Sequence, residues 1–168
     1  YEIDMKENII GREQEIEKLE NYISSRKSEF IAIYGRRRVG KTFLVKELFE
    51  NRFAFRVTGK DNVTTKEQLT SFSFALNDQL GIETDVTNWP EAFRLLQKAL
   101  EKMTDGTKII FFDELPWFDT YASNFISALE HFWNDWAFYR SDIKLITCGS
   151  ATTWMLNQVI NSRGGLHN

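Results

Sequence analysis

An α/β fold, with a parallel sheet covered by helices on both faces, is predicted by three observations. A glycine-rich loop, Gly35-Arg36-Arg37-Arg38-Val39-Gly40-Lys41-Thr42, joins a short apolar run to a stretch of helical periodicity. A second apolar run, residues 108–112, ends in the adjacent acids Asp113 and Glu114. Strand-like and helix-like patterns alternate along the whole chain, with no repeat and no low-complexity segment. That is the order from which parallel sheets are wound.

A first helix opens near Gly11-Arg12-Glu13, with Ile16, Leu19, Tyr22 and Ile23 as its apolar positions, and ends near Ser24-Ser25. Residues 29–34 are almost continuously apolar, as in a strand buried on both faces. The glycine loop follows, and residues 43–49 carry the next helix. In residues 53–58 the alternation places Phe53, Phe55 and Val57 on one face of a second strand. Leu69, Phe72, Leu76 and Leu80 mark a helix that Gly81 closes. Trp89-Pro90 starts another, with Pro90 at the first helical position and Phe93, Leu96, Ala99, Leu100 and Met103 facing inward. After the acidic strand, Phe125, Leu129, Phe132, Trp133 and Trp136 form an aromatic stripe that reads as core rather than as a ligand surface. A fourth strand, residues 143–148, ends at Gly149-Ser150, and a last helix covers about residues 152–161.

Glycine, four residues, then Gly-Lys-Thr is a Walker A phosphate-binding pattern. Gly35 and Gly40 permit the backbone conformations that turn successive amide N–H groups and the helix start toward phosphates. Lys41 is placed against the β and γ phosphates, the Thr42 hydroxyl on Mg²⁺, and Phe43, in the first helical turn, is counted among the nucleotide-binding residues. A basic helix start opposes the helix dipole unless an anion sits there. Arg36, Arg37 and Arg38 either screen triphosphate charge, bind an acidic partner, or stand as solvated side chains around the same loop as Val39. The acidic strand reads as Walker B. Asp113 is expected to hold Mg²⁺ through water, and Glu114 to orient and deprotonate an attacking water. Both motifs fall at carboxyl ends of strands, where open α/β sheets bind ligands.

Composition bounds the alternatives. The 168 residues, 42 % of them apolar, suffice for one sizeable core and not for two full domains. A formal net charge of -3 gives no global electrostatic case for nucleic acid, and nothing in these residues reads as a DNA-binding device. No apolar stretch is long enough to span a bilayer and no secretory leader is present, so no membrane partner is expected. The single cysteine, Cys148, excludes an internal disulfide, and the expected compartment is the cytoplasm. His131 and His167 have no companion at metal-ligand or triad spacing. The chain starts at Tyr1 rather than Met, which points to a trimmed fragment.

The chain resembles the archaeal-type ATPases of prokaryotes, P-loop relatives of the AAA+ and STAND ATPases. The resemblance rests on Ile9-Ile10-Gly11-Arg12-Glu13, the triple-arginine loop, Phe112-Asp113-Glu114-Leu115-Pro116-Trp117, and Cys148-Gly149-Ser150 followed by Gly164-Gly165-Leu166-His167-Asn168. It implies a P-loop three-layer sandwich, ATP and Mg²⁺ as ligands, and hydrolysis of the γ-phosphate by water. It also implies adenine packing at Ile10, Gly11 and Arg12, γ-phosphate sensing at Ser150 with Thr147 second, and an arginine finger at Arg163. A strand and two helices between Lys41 and Asp113 fit the division of P-loop proteins with an inserted strand, and no Asn-Lys-x-Asp guanine-reading motif is present.

The sheet so implied has the order 5-1-4-3-2, and the sequence supplies strands one to four. The expectation is therefore that strand 5 is missing, that the natural protein continues beyond Asn168 into further domains, and that residues 29–34 form a bare edge. Such an edge is too apolar for solvent, and the fragment is expected either to pair it with another molecule or to be aggregation-prone and nearly inactive. Two uses of the site stay open at this point: steady ATP hydrolysis, or a nucleotide-gated switch in which hydrolysis is slow, attached in some relatives to DNA-associated modules.

Overall fold

A computed structural model describes residues 2–4, 13–35, 40–150, 152–155 and 157–158. Its elements are β1 (Glu2–Asp4), α1 (Glu13–Ser24), β2 (Glu29–Tyr34), α2 (Lys41–Phe49), β3 (Phe53–Thr58), α3 (Thr65–Leu80), α4 (Trp89–Lys102), β4 (Lys108–Asp113), α5 (Phe125–Asp135), β5 (Ile143–Gly149) and α6 (Thr152–Met155). Two 3-10 turns, Leu115–Phe118 and Ala137–Tyr139, complete the set. All strand pairs are parallel, in the order β1-β2-β5-β4-β3.

The four long strands thus take the expected order, and β1 occupies the flank of β2 where a fifth strand was anticipated. Glu2, Ile3 and Asp4 pair with Ala32, Ile33 and Tyr34. The expectation of a bare edge at residues 29–34 is corrected. Their apolar side chains are largely buried, and β1 covers the backbone groups of residues 32–34 that would otherwise template pairing with a second molecule. The opposite edge, β3, is protected differently: the Gln79 carboxamide accepts from Arg56 N (2.9 Å) and donates to Arg56 O (2.7 Å), replacing a neighbouring strand.

The two-residue period of the strands divides the core. Phe30, Ala32, Phe55, Val57, Ile110, Phe112, Ile143 and Leu145 face α3, α4 and α5. Ile31, Ile33, Ile109, Phe111, Ile146 and Cys148 face α1 and α2. Each fully buried phenylalanine is worth about 1.5–3 kcal/mol relative to exposure. On the first face Phe72, Trp89, Phe93, Phe112, Phe118 and Phe125 interlock edge-to-face and stacked, as with Trp89 on Phe125 at 4.9 Å and Phe118 on Phe125 at 5.0 Å. The aromatic positions of α5 are core, as the stripe predicts. Trp136, just past the helix, carries the Arg140 guanidinium over its ring.

One strand reading is corrected. Phe53 does not share a face with Phe55 and Val57. The register shifts between Phe53 and Phe55, and Phe53 stacks on Phe111 at 5.6 Å on the other side of the sheet. An extra residue at such an irregularity reverses the side-chain alternation.

Helix ends follow local chemistry. Thr64 and Glu67 form a reciprocal capping box at α3, and Gly81 closes it in the left-handed region. Asn88 caps α4 by accepting from Glu91 N, which puts Pro90 one position inside the first. At the amino ends of the strands, away from the glycine loop, two buried lysines are satisfied. Lys144 Nζ donates to Ser25 O and Oγ and to Lys27 O, while Lys108 Nζ meets Asp142 at 2.8 Å.

Candidate active site

Gly35 directly follows β2, and Gly40 is the N-cap of α2 with φ 87° and ψ 24°, a conformation that costs any residue with a Cβ roughly 1–2 kcal/mol. Leu44 N donates to Gly40 O at 2.9 Å, so the helix ladder begins at that glycine. Lys41, the first helical residue, is buried, and its ammonium reaches back to donate to Gly35 O at 2.9 Å. Burial pulls the Lys41 pKa below the ordinary lysine value, against the opposing charges of Glu114 and Asp113.

The acidic strand arrives beside this helix start. Thr42 Oγ1 donates to Asp113 Oδ2 at 2.7 Å, and the other carboxylate oxygen accepts Glu114 N at 2.9 Å. Two residues far apart in sequence, both predicted as metal ligands, therefore share one hydrogen bond. Gly59 N donates to Asp113 O at 2.9 Å, tying the end of β3 to the end of β4. Glu114 follows in the left-handed region, φ 51° and ψ 49°, and leads into the 3-10 turn containing Pro116 and Trp117.

The end of β5 closes the group. Cys148 is buried, and burial together with Asp113 raises its thiol well above the ordinary value. Thr147 Oγ1 donates to Ile31 O at 3.3 Å and is fully buried, so its hydroxyl serves the sheet rather than a nucleotide. Ser150 sits half-buried in a bend at the strand's end. A Cβ on Gly149 would stand 2.7 Å from Met155 Sδ and 2.9 Å from Pro116 Cδ, so α6, β5 and the 3-10 turn meet there.

The structure thus brings together Gly35, Gly40, Lys41, Thr42, Asp113 and Glu114. Phe43 points to solvent from the first turn of α2. Ile10, Gly11, Arg12, Arg36, Arg37, Arg38, Val39 and Arg163 lie outside the described residues. Gly59 and Gln68, which fix the surroundings of Glu114, were missed by sequence reasoning. A glycine ending an edge strand was the available signal for Gly59; a helical glutamine gives none.

Among the described residues no cluster of three or more His, Cys, Asp or Glu could hold a metal ion. The paired Thr42 hydroxyl and Asp113 carboxylate nevertheless fit Mg²⁺, which typically takes one or two protein oxygens and completes its shell with water and phosphate. No helix among them is long and apolar enough to cross a membrane.

Comparison with known proteins identifies the family. The model of an ATPase domain predominantly from Archaea matches residues 9–168. The Methanocaldococcus jannaschii protein MJECL04 is 30 % identical over 161 residues, covering 94 % of this chain and 33 % of its own length. The ATP-binding protein MJ0423 of the same organism is 46 % identical over 43 residues, 26 % of this chain and 73 % of its own. Among solved structures, the Walker-type ATPase PABY2304 of Pyrococcus abyssi superposes with a TM-score of 0.62 at 19 % identity, over 95 % of this chain and 51 % of that one. A chain from Drosophila ORC bound to DNA gives 0.56 at 13 % identity, over 86 % of this chain and 78 % of that one. The chain therefore spans about a third of MJECL04 and about half of PABY2304.

Proposed function

The chain belongs to the family of ATPase domains found predominantly in Archaea, and from that premise we propose that it binds ATP with Mg²⁺ and hydrolyses the γ-phosphate. The observation that carries the reading is the meeting of Lys41, Thr42 and Asp113 at the carboxyl ends of β2 and β4, with Glu114 next in chain. Lys41 exchanges its bond to Gly35 O for phosphate oxygens. Thr42 and Asp113 hold Mg²⁺, which supplies charge neutralisation on the transferring group. The Glu114 carboxylate accepts a proton from the attacking water, and most of the remaining rate comes from positioning. With Thr147 committed to Ile31 O, Ser150 is the sensor candidate left at the end of β5.

That single short hydroxyl favours one second reading, a nucleotide-gated switch in which hydrolysis is slow. Equilibrium binding of ATP and ADP with and without Mg²⁺, alongside steady-state turnover, tests both. Mg²⁺-enhanced ATP binding with turnover supports the hydrolase. Equally tight binding with negligible turnover supports the switch, and absence of nucleotide binding removes both.

A further inference from the structure

Glu114 occupies a backbone conformation disfavoured for residues with a Cβ, one that persists only where the surroundings determine it. Its peptide is fixed from several sides. Asp113 Oδ1 accepts its N–H at 2.9 Å, and its own carbonyl accepts Trp117 N at 3.1 Å. Gly59 donates to Asp113 O and lies so close behind that an added Cβ would stand 2.5 Å from Glu114 O.

Gln68, buried in the first turns of α3, grips the segments on both sides of this peptide. Its Nε2 donates to Trp117 O at 2.9 Å and to Lys60 O at 2.5 Å, and its Oε1 accepts Lys60 N at 3.1 Å. Both amide donors and the acceptor are thereby engaged. The Thr65 and Thr120 hydroxyls add a 2.5 Å hydrogen bond between the same helix and the loop after the 3-10 turn. One helix therefore braces the loop carrying Gly59 against the turn carrying Trp117, and the Glu114 peptide lies between them.

We infer that Gln68 and Gly59 are positioning residues for hydrolysis, acting through the Glu114 backbone to aim its carboxylate. The inference rests on the reaction proposed above. Gln68 is hydrogen-bonded to Lys60 and Trp117, and Gly59 meets Asp113 only at its main-chain oxygen rather than at the carboxylate proposed for Mg²⁺, so nucleotide affinity and turnover separate in their variants.

The test is Gln68→Met, which keeps an unbranched side chain of similar length without its three hydrogen bonds, and Gly59→Ala, whose Cβ would stand 2.5 Å from Glu114 O and 3.0 Å from the Phe118 ring. Turnover is measured in single-turnover reactions, Mg-ATP affinity by equilibrium titration, and each substitution is repeated in a Glu114→Gln background. Turnover falls about 10- to 100-fold in either variant, the scale of a small misplacement of a catalytic group. The dissociation constant stays within about 2-fold, and neither substitution slows the Glu114→Gln protein further, because residues acting as a unit are non-additive. If one variant does not fold, the other carries the test. Wild-type turnover in a folded variant overturns the inference alone, as does an equal loss in the Glu114→Gln background or an equal loss of ATP affinity. A wild-type protein that binds Mg-ATP without turnover instead overturns the hydrolase reading and the inference with it.

Discussion

Replacing Lys41 by alanine removes a cation that the fold buries between the end of β2 and the acids Asp113 and Glu114. In the structure the ammonium lies behind Gly35 O at 2.9 Å, already desolvated, with its pKa lowered by that burial. The desolvation cost is paid on folding, so phosphate gains a charge that needs no further dehydration. A hydrogen bond to a charged group contributes about 1.5–3 kcal/mol, which converts to roughly a 10- to 150-fold weaker ATP dissociation constant. Folding survives: removing a buried cation offsets the lost bond to Gly35 O, and Lys41→Met, which keeps the apolar stem, separates packing from charge. Isothermal titration with ATP and ADP reads the effect, with thermal melting as the control. ATP affinity within 2-fold of wild type in a folded Lys41→Ala protein would refute the assignment of this lysine to phosphate.

Asp113→Asn keeps the side chain's shape, with the carboxamide oxygen accepting Glu114 N and its N–H₂ donating to the Thr42 hydroxyl, but removes the charge for Mg²⁺; the Mg²⁺-dependent gain in ATP affinity shrinks while Mg²⁺-free binding holds, measured by titration with and without chelator. At the other end of the sheet, hydrogen bonds from Arg140 and then Lys108 hold the Asp142 carboxyl at about 2. A carboxyl depressed in the folded state contributes stability that is complete above its unfolded value and lost as pH falls through about 2. Asp142→Asn therefore costs roughly 1 kcal/mol at neutral pH, at the low end for a partly exposed ionic hydrogen bond, and flattens the melting-temperature decline between about pH 4 and pH 2. An unchanged acid slope in Asp142→Asn would contradict this linkage.

What the sequence made legible were features with a period or a fixed spacing. The apolar runs of β2, β4 and β5, the heptad-like faces of α3 to α5 and the Gly35-to-Thr42 spacing each carry several residues that agree. The strand β1 has three residues and no periodicity to detect, so its cover over β2 emerged only from tertiary pairing. Alternation in β3 misplaced Phe53 because a register shift is a backbone event that side-chain pattern does not record. Within the site, residue identities marked Lys41, Thr42, Asp113 and Glu114, whereas the left-handed turn at Glu114 and the bracing by Gln68 depend on packing between segments distant in sequence. Thr147 and Ser150 shared one chemical argument, and a single hydrogen bond to Ile31 O separated them.

The most direct measurement is ATP turnover by Glu114→Gln with Mg-ATP binding determined on the same preparation. The substitution preserves shape and removes the base, so turnover falls about 10²- to 10⁴-fold while the dissociation constant for Mg-ATP is unchanged or lower. A Glu114→Gln protein that hydrolyses ATP at the wild-type rate would contradict the account, because the carboxylate held at the end of β4 would then not be the group that activates water.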